Sequence, residues 1–324
     1  MSTELSAARA PGAGAALVRV VVVIPCRNEE AAVAQVVGDF RAQPDVAEVV
    51  VVDNASTDRT AELARAAGAR VVTESRPGKG FALLTGFRDA GTGDYFVMVD
   101  GDDTYPAEDL ERLLAAARAG ADMVIGTRLQ NPAADALRAG HGFGNRLFIA
   151  LVRALFGLRT RDLFSGYRLM SRRYLDMVPL IATGFEIELE LSLQALVHGF
   201  RVVEVPVRYR ARPRGSTSKL RTYGDGLRIL RSLFLFFRDY RPMVFFGSLS
   251  LVLLGSSLLG GGVVVYEFAR TGLVQRLPLA VLAAALFVLA ALSFACGVLL
   301  SSINRRAAEL AALVSKGPPS GPRR

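Results

Sequence analysis

A chain of 324 residues has room for one large α/β domain and a further element, and 51% hydrophobic residues with a mean hydropathy of +0.33 exceed what a soluble enzyme carries. The net charge of +9 is concentrated between Arg201 and Arg241, where eleven Lys or Arg face three acids, a block suited to lipid headgroups or phosphates. No nucleic-acid-binding motif and no tryptophan occur, so DNA and RNA are set aside as partners.

Residues 1–17 read as an Ala/Gly-rich disordered lead without a signal peptide. Val18–Ile24 is then a continuous β-branched run, and Glu29–Arg41 has helical spacing with Val33, Val36, Val37 and Phe40 on one face. "VAEVVVVD" reads as a strand. "STDRTAELARAAG" reads as a helix with Ser56 or Thr57 as its N-cap and Gly68 as its stop. "ARVVTE" (strand), "KGFALLTGFRDAG" (helix), "DYFVMVD" (strand), "PAEDLERLLAAARAG" (helix opened by Pro106) and "ADMVIGTR" (strand) follow. Apolar strands without polar alternation, separated by helices, predict a doubly wound, mostly parallel sheet buried on both faces.

Further along, "FGNRLFIALVRALFGLR" and "DGLRILRSLFLFFRDYR" mix Arg with Phe and Leu at helical spacing, as surface amphipathic helices at a bilayer do. For the first, core packing or an oligomer contact is the alternative. The second covers a juxtamembrane segment, 221–241. Within 242–304 lie two uncharged apolar segments, 243–266 and 277–303, each longer than the roughly 20 residues that cross a bilayer as a helix. They form a transmembrane α-hairpin, with 305–324 as its tail. Arg228, Arg231, Arg238 and Arg241 precede the hairpin and Arg305, Arg306, Lys316, Arg323 and Arg324 follow it, whereas the connecting loop has only Arg270 and Arg276 beside Glu267. The expectation is a multi-pass protein of the cytoplasmic membrane with its large α/β domain and both termini cytoplasmic. Cys26 and Cys296, at a strand end and in a span, fit a reduced compartment better than a disulfide.

Ligands of an open α/β sheet bind outside the carboxyl ends of its strands. Here those ends carry "PCRNEE", "DNASTD", "ESRPGKG", "DGDDTYP" and "GTR", which gather Asp53, Lys79, Asp100, Asp102 and Arg128. Neither GxGxxG nor GxxxxGK[ST] is present. Gly101 lets Asp100 and Asp102 aim both carboxylates into one space, a pair suited to Mg²⁺ or Mn²⁺, which take further ligands from substrate phosphates. Lys79 and Arg128 would meet phosphate oxygens the metal leaves free. Asp103 reads either as a turn residue or as the N-cap of the next helix. Glu186, Glu188 and Glu190 in "GFEIELEL" read as a helix face, and His141 and His198 lack metal-ligand spacing.

"VVVIPCRNEE", "VVVVDNASTDRT", "PGKGFAL", "MVDGDDTYP", "GTR", "SGYRLMSRR" and "YRARPRGSTSKL", in that order, resemble family 2 glycosyltransferases of the polyprenyl-phosphate (dolichyl-phosphate mannose synthase-like) group. The resemblance covers about Val20 to Leu220, and the hairpin is similar to that of members with their own membrane anchor. It implies a GT-A domain over 18–220 and inverting, metal-dependent transfer of a sugar from a nucleotide sugar to a polyprenyl phosphate; UDP- and GDP-sugar donors both stay open, with UDP favoured. It places the nucleotide against Pro25, Arg27, Glu29 and Asp53, with Lys79 and Arg128 near the diphosphate and Asp100, Gly101 and Asp102 as the DxD metal motif. Arg212 would hold the acceptor phosphate with Lys219 nearby, although one extra residue between Gly215 and Lys219 departs from the dolichyl pattern. Members with this hairpin imply a homo-oligomer, with a tetramer as the expected form. The QxxRW signature of processive synthases is absent. Another membrane lipid acceptor, such as diacylglycerol or a glycolipid, and a non-catalytic membrane subunit are the alternatives. The reaction needs no general base, because a phosphate monoester ionised near neutrality is already a nucleophile.

Overall fold

The computed structural model describes residues 18–128, 142–158, 160–213 and 222–315. Contacts divide the chain into two units, one within Met1–Ile149 and Thr160–Leu220, the other Ala150–Arg159 with Arg221–Arg324.

The first unit is built on a seven-stranded sheet in the order β3-β2-β1-β4-β6-β5-β7. The strands are β1 (Val20–Cys26), β2 (Val46–Asp53), β3 (Arg70–Thr73), β4 (Tyr95–Met98), β5 (Met123–Thr127), β6 (Arg168–Ser171) and β7 (Val202–Pro206). Only β6 runs antiparallel to its neighbours, β4 and β5. The winding leaves β1 toward β3 and resumes at β4 on the other side of β1. The switch point therefore lies between β1 and β4, where a doubly wound sheet opens its crevice.

The alternation of β1 explains the two cores. Val20, Val22 and Ile24 pack on one face with helix α1 (Val33–Arg41) and helix α4 (Leu110–Arg118), through Val33, Val37, Phe40, Leu110, Leu113 and Leu114. Val21 and Val23 face the other way, onto helix α3 (Lys79–Asp89) and helix α7 (Ile187–Val197), through Ala82, Leu83, Ile187 and Leu191. Each fully buried Val or Leu contributes about 1.5–3 kcal/mol. The two faces therefore fix the register of β1 and with it the place where the strand ends. The apolar face expected of α1 is the buried one, although the helix begins at Val33 rather than Glu29. Helix α2 (Thr60–Ala66) stops at Gly68, whose φ of 91° is left-handed.

In the second unit the apolar segments are helices α9 (Pro242–Thr271) and α10 (Leu277–Ser315), both long and apolar enough to cross a membrane. They pack antiparallel through small residues. Ser250 Oγ donates to Ala290 O (2.8 Å), Ser257 Oγ to Ala283 O (2.7 Å) and Ser293 Oγ to Phe246 O (2.9 Å). Leu251, Leu259 and Leu299 on the outer faces are exposed. The helices outrun the apolar stretches read in the sequence. Glu267–Thr271 continues α9 to a left-handed cap at Gly272, and residues 305–315 of the expected tail continue α10. Helix α5 (Gly142–Phe156) and helix α8 (Thr222–Tyr240) meet through Phe156 and Phe237, and Arg241 Nη2 donates to Phe156 O at 3.2 Å. On α8, Ile229 and Leu233 are buried while Leu227, Leu230 and Phe234 are exposed.

Candidate active site at the strand ends

After β1, Asn28 takes the left-handed conformation (φ 53°) that Asn tolerates better than most residues. Its backbone N–H donates to Ser56 Oγ (3.0 Å), and its Oδ1 accepts from Thr57 N (2.7 Å). Ser56 and Thr57 thus lace the β1 and β2 loops together and do not cap α2. The N-cap position is Arg59, whose side chain makes no cap bond, and the first helical N–H, Thr60 N, donates to Asp58 Oδ1 at 3.0 Å. Asn54, which the sequence reading passed over, joins three segments: its Nδ2 donates to Glu74 O and Arg76 O, and its Oδ1 accepts from Gly78 N at 2.8 Å. That bond fixes the start of α3, whose first residue is Lys79.

Of the residues expected to face the nucleotide, Pro25 is half-buried, Arg27 exposed, and Glu29 and Asp53 buried. The strand ends converge electrostatically on Cys26. Burial pushes its thiol up, and Glu29, Asp53, Asp102 and Asp100 add to the effect.

Lys79 Nζ lies 2.6 Å from Asp100 Oδ1 and 2.6 Å from Glu188 Oε1. Burial disfavours the charge on Asp100, but Lys79 overrides it and holds the carboxyl below its usual range. Burial likewise opposes the Lys79 charge, which Asp100 and Glu188 restore, raising its pKa well above the ordinary value. Two glycines allow the close packing of the acidic turn. A Cβ at Gly101 would overlap Cys26 Sγ, and one at Gly166 would overlap the Asp100 carboxylate itself. Gly166 is held in turn by Tyr105, whose hydroxyl accepts from Gly166 N at 3.1 Å. The "SGY" string is therefore part of the site.

Asp102 is buried; its Oδ1 accepts from Thr104 Oγ1 (2.6 Å) and its Oδ2 pairs with Arg212 Nη2 at 2.7 Å. Burial first, and Asp100 second, raise its carboxyl above the usual range. Asp103 is a turn residue with φ 58°, 3.8 Å from Arg210. It caps nothing: the 3₁₀ turn Ala107–Asp109 that precedes α4 starts from Pro106. Arg128 grips Asp162 with two parallel bonds, Nε–Oδ2 at 2.8 Å and Nη2–Oδ1 at 2.6 Å. Its charge also reaches Asp100.

The helix-face reading of the glutamates needs correction. Glu186, Glu188 and Glu190 are all buried: Glu186 accepts from Gly184 N (3.1 Å) and Glu190 from Ala182 N (2.8 Å), while Glu188 holds Lys79. Asp162 and Glu188 were missed as site residues; for Glu188 a signal existed, since a carboxylate in a largely apolar helix must find compensation, whereas Asp162 lies outside any helix. His198 stays structural, with Nδ1 3.0 Å from Gln194 O. Lys219 and His141 lie outside the described residues.

Among the described residues no three His, Cys, Asp or Glu side chains cluster as a complete metal cage. What exists is a pair of repelling aspartates, each countered by a cation, which fits a divalent ion that completes its shell from phosphates and water.

The profile of glycosyl transferase family 2 matches residues 21–178. The chain is 36% identical to the glycosyltransferase AglJ of Haloferax volcanii, over 76% of its own length and 80% of that protein. It is 35% identical to a dolichyl-phosphate hexose transferase of the same organism, over 65% of its own length and 91% of the relative. The crystal structure of glucosyl-3-phosphoglycerate synthase from Mycobacterium tuberculosis in complex with Mn²⁺, UDP and glucosyl-3-phosphoglycerate superimposes with a TM-score of 0.54 at 26% identity, covering 68% of this chain and 80% of that one. A mostly parallel GT-A sheet with its acidic pair at the switch point, together with relatives matched over most of their length, makes this chain a glycosyltransferase that belongs to family 2.

Proposed function

We propose that the enzyme transfers a sugar, with inversion, from a nucleoside diphosphate sugar to a polyprenyl phosphate at the cytoplasmic face of the membrane. The observation that carries this reading is the arrangement of Asp100 and Asp102, each bound to a separate cation at the switch point of the sheet. Two carboxylates and two cations in one crevice fit a metal–diphosphate unit better than a bare ion. A polyprenyl acceptor is supported by the dolichyl-phosphate hexose transferase relative and by two helices long enough to anchor the chain where such lipids reside. Mn²⁺ and UDP in the solved neighbour favour a UDP-sugar and a divalent metal.

Asp100 and Asp102 would hold Mg²⁺ or Mn²⁺, which supplies Lewis-acid stabilisation of the departing diphosphate. Pro25, Arg27, Glu29 and Asp53 line the nucleotide side, and Gly101 keeps the acidic turn close to β1. Lys79 and Arg128 bring fixed positive charge to the leaving group. Arg212, released from Asp102, presents a planar fork to the acceptor phosphate, whose own oxygen attacks the anomeric carbon. The bond to the nucleoside diphosphate breaks as the new C–O bond forms, and no proton has to be removed.

The test is the detergent-purified chain with undecaprenyl phosphate and a panel of UDP- and GDP-sugars. A lipid-extractable sugar phosphate should form with Mg²⁺ or Mn²⁺ and not in excess chelator. Transfer to diacylglycerol while undecaprenyl phosphate is ignored would replace the acceptor.

A further inference from the structure

Glu188 has no part in the chemistry above, yet it is 3% exposed and makes one of the two ion pairs of Lys79. Among the described residues its Oε2, which is buried, has no hydrogen-bond partner. A carboxylate oxygen left without a donor in the interior is costly, and it needs a reason.

The reason follows from the geometry of Lys79. Its ammonium sits 2.6 Å from Asp100 Oδ1, on an oxygen that a divalent cation at the acidic pair would also seek. Ammonium and metal repel, and both draw on the lone pairs of the same carboxylate. For Asp100 to turn its charge toward a metal, Lys79 must give up part of this contact. In a site where the Lys79 side chain is only 12% exposed, water cannot take over the lost charge compensation. Another anion must already be in place. Glu188 supplies it, 2.6 Å away, on the first turn of α7. Its backbone carbonyl is fixed by Ser192 Oγ (3.1 Å), and Ser192 is bound in turn by the buried guanidinium of Arg168 (2.8 Å). The free Oε2 is the acceptor into which the ammonium can settle when Asp100 lets go.

We propose that Glu188 is a positioning residue, which holds the Lys79 ammonium so that Asp100 is free to bind the divalent cation. This rests on the metal assignment made under the proposed function. Without the Glu188 charge, Lys79 has only Asp100 to neutralise it, stays on that carboxylate, and competes with the metal.

The experiment reads Mn²⁺ affinity directly, from the free-ion electron paramagnetic resonance signal, on the full chain in detergent without nucleotide, so that the contact of Lys79 with a diphosphate does not enter. Glu188→Gln should weaken Mn²⁺ binding about tenfold, the scale of one charge-assisted hydrogen bond. Glu188→Asp, which keeps the charge, should weaken it less. Adding Lys79→Met to Glu188→Gln removes the competing ammonium and should restore Mn²⁺ affinity to within about threefold of the parent chain, a tolerance well inside one tenfold step of binding energy. A merely structural role predicts the opposite, since a second change at a buried pair would deepen the damage, which thermal unfolding without metal would register. Unchanged Mn²⁺ affinity in Glu188→Gln overturns the proposal, and so does a loss that Lys79→Met fails to restore. Asp102→Asn separates the two readings. If it leaves Mn²⁺ affinity intact, the metal site itself falls and the role of Glu188 with it. If it abolishes binding while Glu188→Gln has no effect, only Glu188 falls.

Discussion

Asp102 carries the least comfortable charge in the crevice, buried and repelled by Asp100, with its Oδ2 on Arg212 at 2.7 Å. Replacing it with Asn removes the repulsion and, under the proposed function, one ligand of the divalent cation. Asp102→Asn should therefore fold at least as stably as the parent, while turnover falls by at least about a hundredfold, the scale of losing a principal electrostatic stabiliser. A thermal melt beside a transfer assay checks both. Glu74 carries a structural charge of the opposite character. Arg76, through its side-chain bonds, and then Thr85 hold its carboxyl below the usual range. A depressed carboxyl contributes stability above the unfolded-state value, about pH 4.3, and loses it as pH falls through the folded-state value. Glu74→Gln should thus lower the melting temperature at pH 7, and the gap to the parent should close in strongly acidic buffer.

At the scale of elements, the SGYR segment leading into β6 shows how packing decides chemistry. Gly166 stands where a Cβ would overlap the Asp100 carboxylate, so its neighbour is set by a bare backbone. Gly166→Ala should push Asp100 off Lys79, costing about 1–3 kcal/mol as overpacking does, and weaken Mn²⁺ binding in parallel. Isothermal titration with Mn²⁺ and a denaturant melt would detect the two losses together. The same element marks where sequence reading ran out. Strands β1 to β5 were legible because short apolar runs without polar alternation, punctuated by helical segments, have few other uses, and the acidic turn after β4 was legible because carboxylates abut such a run. β6 was hidden: it is four residues long and begins with Arg168, a guanidinium that looks like surface but is fully buried. Glu188 was hidden for another reason. "EIELEL" carries no sign of its partner, which lies 109 residues away, whereas Lys79 and Asp100 are 21 apart on strand-end segments consecutive in the chain.

The whole molecule joins an α/β unit, whose described core is closed by its own two apolar clusters, to a unit dominated by two apolar helices. The sheet, the acidic turn, Lys79, Glu188, Arg128 and Arg212 all belong to the first. Removing residues 242–324 should therefore leave a chain that still binds nucleotide and Mn²⁺. The cut has its own cost within the second unit, because Phe234 and Phe237 of α8 pack on Phe245 of α9 and would lose that partner. With Leu227 and Leu230 already exposed, the truncated α8 becomes a larger apolar surface, so the shortened chain should need detergent or lipid to stay monodisperse. Under the proposed function, transfer to polyprenyl phosphate in vesicles should fall far more than donor affinity, since that acceptor would be met only where the chain is held to the bilayer. Titration of UDP in Mn²⁺ against vesicle-based transfer, on truncated and full chains side by side, measures the two quantities separately. Equal losses in both would mean that the hairpin supports the donor site, and the anchor would then be part of the catalytic fold.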